Sequence, residues 1–203
     1  MFITKDFIIK TLLIVLIFCS SALSAVTNGQ KAPLFKLKNH IAEEINLKSF
    51  QGKIVILEWT NKGCPFVKKH YDSGNMQRLQ KIAKQQNTIW LSIVSSAPGK
   101  QGHITQSEAL STYKEKGFQS HAILMDTNGA VGKKYGALTT PHMFVIDTNG
   151  NIIYQGAIDS IASADPRDIP KSQNYVEEIL KDLKNGKTLK PFKTRPYGCS
   201  VKY

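Results

Sequence analysis

The chain has 203 residues, 41% of them hydrophobic, with 27 Lys and Arg against 15 Asp and Glu for a formal net charge of +12. That composition, without repeats or low-complexity tracts, is globular and excludes a disordered or fibrous chain. The positive charge is carried by lysine, with three arginines, Arg78, Arg167 and Arg195. No lysine run is interleaved with stacking aromatics and guanidinium forks are scarce, which argues against a nucleic-acid partner and for a solvated lysine surface with generic attraction to acidic partners or anionic membranes.

Residues 1–25 read as a cleaved secretory signal. Lys5 and Lys10 make a weakly basic start, residues 11–18 an apolar core, and residues 20–25 a run of small side chains, with cleavage after Ser24 and after Ala25 both fitting. The apolar stretch is shorter than the ~20 residues that span a bilayer, so no stable membrane anchor is expected after cleavage, and Cys19 belongs to the discarded segment. The expected localisation is extracytoplasmic, periplasmic in a Gram-negative cell and secreted otherwise. About 178 residues remain, enough for one domain. It is expected over residues 26–190, followed by a proline-spaced tail over 191–203.

Residues 34–37 and 45–47 are short extra strands around a polar turn, and residues 54–59 a strong buried strand. Residues 65–86 are helical by the spacing of Val67, Met76, Leu79, Ile82 and Ala83, with Asp72-Ser73-Gly74-Asn75 bending or breaking the run. A strand over 88–94 and a helix over 105–116 follow, the latter opened by the capping pattern Thr105-Gln106-Ser107-Glu108. Residues 122–125 are strand-like and 130–135 helical. Residues 142–147 and 152–157 make a hairpin across Thr148-Asn149-Gly150-Asn151, and residues 174–183 a final amphipathic helix. This order predicts an α/β fold, a central mixed sheet flanked by helices with extra strands at the N-terminal side.

Cys64 lies where the strand over 54–59 gives way to the helix that Pro65 opens, in Trp59-Thr60-Asn61-Lys62-Gly63-Cys64-Pro65-Phe66. Unpaired N–H groups and the positive end of the helix dipole favour a thiolate there and lower its pKa, which suits a nucleophile. With Cys19 removed, Cys64 and Cys199 form an even pair outside the cytosol, a redox pairing. They lie 135 positions apart (199 − 64), so both a bond within one chain and a bond between two chains of a homodimer are open.

The order of elements together with Leu138-Thr139-Thr140-Pro141-His142 resembles the thioredoxin fold. That resemblance implies that the Thr140-Pro141 bond is cis and that the proline flanks Cys64. More narrowly, residues 63–71 and the ending Gly198-Cys199-Ser200-Val201-Lys202-Tyr203 are similar to the peroxiredoxin-like branch of the redoxin family, the alkyl hydroperoxide reductase and thiol-specific antioxidant group. The similarity implies a thiol-disulfide oxidoreductase or antioxidant. Two departures stand out: Val67 occupies the place of the second thioredoxin cysteine, and the Pro, Thr or Ser, and Arg set that activates peroxide in classical peroxiredoxins is not evident.

The reading is therefore a redox protein in which Cys64 attacks a disulfide or peroxide substrate, Cys199 resolves the intermediate, and an external thiol reductant resets the pair. Thr60, Asn61, Gly63, Pro65, Thr140 and Pro141 are the expected supporting residues. Trp59 and Phe66 are expected to wall the pocket, Lys68 and Lys69 to lie on a solvated face, His70 to point away from Cys64 and His142 to lie near it. No organic cofactor and no metal are expected. The alternatives are a copper-binding protein using Cys64, His142 and Cys199, and a binding protein without catalysis.

Overall fold

The two short strands expected at the N-terminal side form as β1 (Lys36–Asn39) and β2 (Glu44–Asn46), which pair antiparallel as a hairpin, followed by a short 3-10 helix at Leu47–Phe50. A computed structural model describes residues 26–203, and the leader expected over 1–25 lies outside the described residues. In chain order there follow β3 (Val55–Trp59), α1 (Pro65–Asp72), α2 (Asn75–Gln85), β4 (Ile89–Val94), α3 (Gln106–Glu115), β5 (Ala122–Met125) and α4 (Ala130–Tyr135). Then come β6 (Thr139–Thr140), β7 (His142–Ile146), β8 (Ile152–Gly156), a 3-10 segment at Pro166–Lys171, α5 (Tyr175–Lys184), β9 (Phe192–Lys193) and β10 (Cys199–Ser200). Every expected element is present within two residues of its expected ends.

Local chemistry explains the boundaries. The helical run breaks where foreseen because Gly74, at φ 74, takes the left-handed conformation that only glycine adopts freely, and it caps α2. Thr105 and Glu108 form the reciprocal capping box that starts α3. Three further strands, β6, β9 and β10, have two residues each and were not expected. Strands so short carry no periodicity to read.

The main sheet runs β2-β1-β5-β4-β3-β7-β8-β9. Strands β3, β4 and β5 pair in parallel, whereas β7 is antiparallel to both β3 and β8, the mixed sheet of a thioredoxin-like fold. Side chains alternate between its faces with period two. Ile56, Trp90, Met143 and Val145 meet one apolar layer, built with Val67 of α1, Leu79 of α2, Ala109 of α3 and Val176 of α5. Leu57, Trp59, Leu91, Ile93 and Phe144 meet the other, built with Phe35 and with Val131 and Tyr135 of α4. Cys64 belongs to the first layer.

The alternation corrects two expectations. Trp59 shares a face with Leu57 and packs on Tyr135 and Phe144, across the sheet from Cys64, so it does not wall the thiol. His142 is on the same side, its ring tilted against Phe144 with centroids 4.6 Å apart, and its Nδ1 accepts the Leu138 N–H at 3.2 Å. It is a buried core residue rather than a neighbour of the thiol. His70 turns away from Cys64 as expected, its Nδ1 meeting Asn75 Nδ2 at 2.8 Å.

Both histidines are held neutral. Burial pushes the His142 imidazole down to about 3 and that of His70 to about 4, with the charge of Asp159 opposing the drop and that of Lys69 adding to it. The unfolded chain takes up protons near pH ~6.5 and the native state only far below, so stability is full above that value and falls as pH drops. By pH ~4.5 the loss should reach roughly 2–3 kcal/mol per histidine. Urea midpoints at pH ~7 and ~4.5 measure it, and His142→Leu, which removes one titration, should show the smaller drop. An equal drop in variant and wild type would refute the assignment.

Candidate active site

Cys64 is the N-cap of α1, with φ −78 and ψ 124 and with Pro65 as the first helical residue. The loop before it is tied by Asn61, whose Oδ1 accepts the Gly63 N–H at 2.8 Å, whose carbonyl accepts the Cys64 N–H at 3.0 Å, and whose Nδ2 donates to Gln101 Oε1 at 2.9 Å. Asn61 and Gly63 thus shape the turn that delivers the cysteine. Thr60 is buried at the end of β3, just before the loop. Neither Thr60 nor Asn61 aims a side chain at the sulfur, which corrects the expectation that they would assist there.

The thiol is fully buried, at 0% exposure. Its Sγ donates to the Thr140 carbonyl at 3.0 Å, and the Thr140-Pro141 peptide is cis. The edge of that segment is occupied: β10 pairs antiparallel with β6, Cys199 opposite Thr140 and Ser200 opposite Thr139. The two cysteines, far apart in sequence, are consequently brought together on Thr140 within one chain, Cys199 packing against the apolar layer that holds Cys64, both as free thiols. Gly198, just before Cys199, has φ 130, and a Cβ there would overlap the Thr140 carbonyl oxygen. Glycine is required for so close an approach of the two backbones.

Burial pushes the Cys64 thiol up, but the Cys199 thiol, the Thr140 side chain and the Cys199 and Val67 N–H groups together outweigh it, and the net shift is downward. Cys199 moves the other way, up to about 11, through burial and through the hydrogen bond and charge of Cys64, with Lys202 opposing. The first proton therefore leaves Cys64. Val67 acts through its backbone at the place where a thioredoxin would carry its second thiol.

Three features were missed from the sequence. Glu58, on the same sheet face as Cys64, is fully buried and accepts from Tyr71 at 2.9 Å, Trp90 at 2.8 Å, Ser92 at 2.9 Å and Gln80 at 3.4 Å. Burial raises its pKa against those hydrogen bonds. Its signal was a lone carboxylate inside an apolar strand. Lys69 is buried rather than solvated and pairs with buried Asp159 at 3.1 Å, whereas Lys68 is exposed. Tyr197 of the tail donates to the same Asp159 and sets its ring edge-on to Phe66, with centroids 5.8 Å apart. Phe66 thereby walls the tail side of the site. Among the described residues, no group of three or more His, Cys, Asp or Glu could hold a metal ion, and His142 lies across the sheet from the two cysteines, so the copper alternative lacks its histidine.

The AhpC/TSA family model matches residues 28–155. A structure of an uncharacterized conserved protein from Geobacillus kaustophilus is 23% identical, with TM-score 0.72 over 87% of this chain and 92% of that one. A hypothetical protein from Sinorhizobium meliloti 1021 is 22% identical, with TM-score 0.71 over 89% and 96%. A putative protein disulfide isomerase from Bacteroides thetaiotaomicron is 19% identical, with TM-score 0.58 over 79% and 92%. These likenesses show the thioredoxin-like fold. No curated protein matches. The chain belongs to the AhpC/TSA family, the redoxin family of the thioredoxin-like superfamily.

Gly198→Ala should push Cys199 off Thr140 and withdraw donors from the Cys64 thiolate. Titration of the thiolate ultraviolet absorbance should show the Cys64 midpoint rising by about one pH unit, the scale of one lost charge-assisted hydrogen bond. An unchanged midpoint would mean that the tail does not stabilise the thiolate.

Proposed function

We propose that this AhpC/TSA family member is an extracytoplasmic thiol:disulfide oxidoreductase in which Cys64 is the nucleophile and Cys199, on the same chain, is the resolving cysteine. The observation that carries the proposal is the meeting of both cysteines on Thr140, Cys64 through its thiol on the Thr140 carbonyl and Cys199 paired opposite it in the β6–β10 ladder, with the pKa of one thiol lowered and that of the other raised. The extracytoplasmic setting rests on the leader-like sequence of residues 1–25.

In the first step the Cys64 thiolate attacks one sulfur of a substrate disulfide, forming a mixed disulfide and releasing the other sulfur as a thiolate. That step consumes the negative charge on Cys64. Two of the causes that hold Cys199 up, the hydrogen bond and the charge of Cys64, end with it, and Lys202 continues to favour deprotonation. The Cys199 thiolate then attacks Cys64 Sγ, forming the Cys64–Cys199 disulfide and expelling the second substrate thiolate. In sum the substrate gains two electrons and two protons and the cysteine pair loses them. An external dithiol resets the pair by the same exchange.

A disulfide suits this pocket better than a peroxide. The groups on the Cys64 sulfur are the Thr140 carbonyl and side chain, the Cys199 thiol and two backbone N–H groups, and no guanidinium is among them to stabilise charge on a leaving oxygen.

Cys64→Ser should reduce turnover of a model protein disulfide to background. Cys199→Ser should keep the first step and accumulate a mixed disulfide on Cys64, identified by mass. Oxidised wild type should run as a monomer with an internal disulfide on a non-reducing gel. Unchanged turnover in Cys64→Ser would sink the reading. A disulfide-linked dimer would overturn the intramolecular resolving step, and a trapped sulfenic acid with rapid hydroperoxide consumption would reassign the substrate.

A further inference from the structure

Nothing larger than a proton can reach Cys64 in the arrangement described: the residue has no exposed surface, and β10 occupies the edge of β6 beside it. The tail that covers it is held at several points. Upstream, the Thr194 N–H donates to the Gln155 carbonyl at 3.1 Å, and its Oγ1 accepts the Ala157 N–H at 3.0 Å. Downstream, the Val201 N–H donates to the Leu138 carbonyl at 3.0 Å, the Lys202 carbonyl accepts the Ala97 N–H at 2.8 Å, and the Tyr203 hydroxyl donates to the Ala137 carbonyl at 2.8 Å. Between Thr194 and Cys199, the Tyr197 hydroxyl makes the hydrogen bonds that fix the segment.

We propose that Asp159 and Tyr197 form a latch that holds the tail shut over Cys64, and that release of Tyr197 admits a protein disulfide to the thiol. The proposal rests on the thiol–disulfide reading of the site and names what controls entry to it. Tyr197 is a positioning residue, acting through the tail that carries Cys199.

The construction of the Asp159 site argues for a latch rather than a permanent anchor. Asp159 has partners that do not belong to the tail: Lys69 Nζ at 3.1 Å and Ser172 Oγ at 3.3 Å on Oδ2, and the Ile161 N–H at 3.2 Å on Oδ1. Lys69 is in turn satisfied by the Ile161 carbonyl at 3.2 Å. When Tyr197 leaves, the buried carboxylate and ammonium still compensate each other, so opening strands no lone charge. His70, with its Nε2 3.7 Å from Asp159 and 3.5 Å from the Tyr197 hydroxyl, stays neutral and leaves that balance intact. What opening breaks at this point is the hydrogen bond to a charged acceptor, the 3.5 Å contact with His70 Nε2, the contact of the Lys69 ammonium 5.7 Å from the ring centroid and the edge contact with Phe66. The matched AhpC/TSA residues end at 155, so Asp159 and Tyr197 both lie beyond the portion of the chain that the family model matches.

The test uses the whole protein. In a Cys199→Ser background, Tyr197→Phe keeps the ring on Phe66 and removes only the hydroxyl. The rate at which a bulky aromatic disulfide reagent modifies Cys64 should rise about 10- to 100-fold. In the otherwise wild-type chain, the first-step rate with a model protein disulfide should rise in the same direction. A merely structural role for Tyr197 would lower turnover instead. Hydrogen exchange on the unaltered protein gives a second reading: the amides of residues 197–201 should exchange together and faster than those of β3 and β7. Unmoved Cys64 accessibility in Tyr197→Phe, or exchange of those amides only with global unfolding, would overturn the latch. Exposure of Cys64 by Tyr197→Phe in a protein that turns over no disulfide would instead fail the functional reading and keep the latch. Intact turnover with unmoved exposure would do the reverse.

Discussion

The two-residue ladder between β6 and β10 is the constraint on which the site depends. Thr140 faces two ways: its carbonyl receives the Cys64 thiol and its backbone pairs with Cys199. A single residue therefore sets the distance between two sulfurs whose positions in the chain differ by most of its length. Gly198 makes that approach sterically feasible. Without the ladder, Cys64 would still stand at the N-cap of α1, but it would lose the Cys199 groups that help to lower its pKa and would have no partner on its own chain.

Around this small ladder the protein buries an unusual amount of polarity. Glu58 and its donors lie under α1 and α2, while Lys69, Asp159 and His70 lie beside the tail. Burying such groups is costly unless each finds partners, and here each does. The two clusters bracket α1, the helix whose first turn presents Cys64: Tyr71 ties it to the sheet through Glu58, and Lys69 ties it to the segment after β8 through Asp159. The nucleophile is thus carried on a helix fixed by hydrogen bonds on two sides, which restricts the direction from which its sulfur can be approached.

Much of this was legible in the sequence because local rules dominate it. The buried strand over 54–59, the break at Gly74, the capping box at Thr105 and the hairpin at Asn149-Gly150 were read from propensity and turn chemistry, and the cysteine at the strand-to-helix junction from the dipole argument. What could not be read depends on which face a residue takes or on contacts across long separations. His142 lies next to Pro141 in sequence, yet the period-two alternation of β7 sends it to the opposite face of the sheet. Lys69 resembles a surface lysine until Asp159, 90 positions later, is folded onto it. The pairing of Cys199 with Cys64 was proposed from the sequence, but that the two meet within one chain hinges on a strand of two residues, too short to leave a pattern.

The long separation of the two cysteines also links redox state to folding. A bond between them would enclose about 135 residues, and on chain-entropy grounds closing so large a loop restricts the unfolded chain by roughly 5 kcal/mol. By the thermodynamic cycle, whatever stability the bond adds to the fold is the same free energy by which folding favours oxidation of the pair over that of two thiols on an unfolded chain. The fold itself thus supplies part of the reducing power that the cysteines would bring to a substrate.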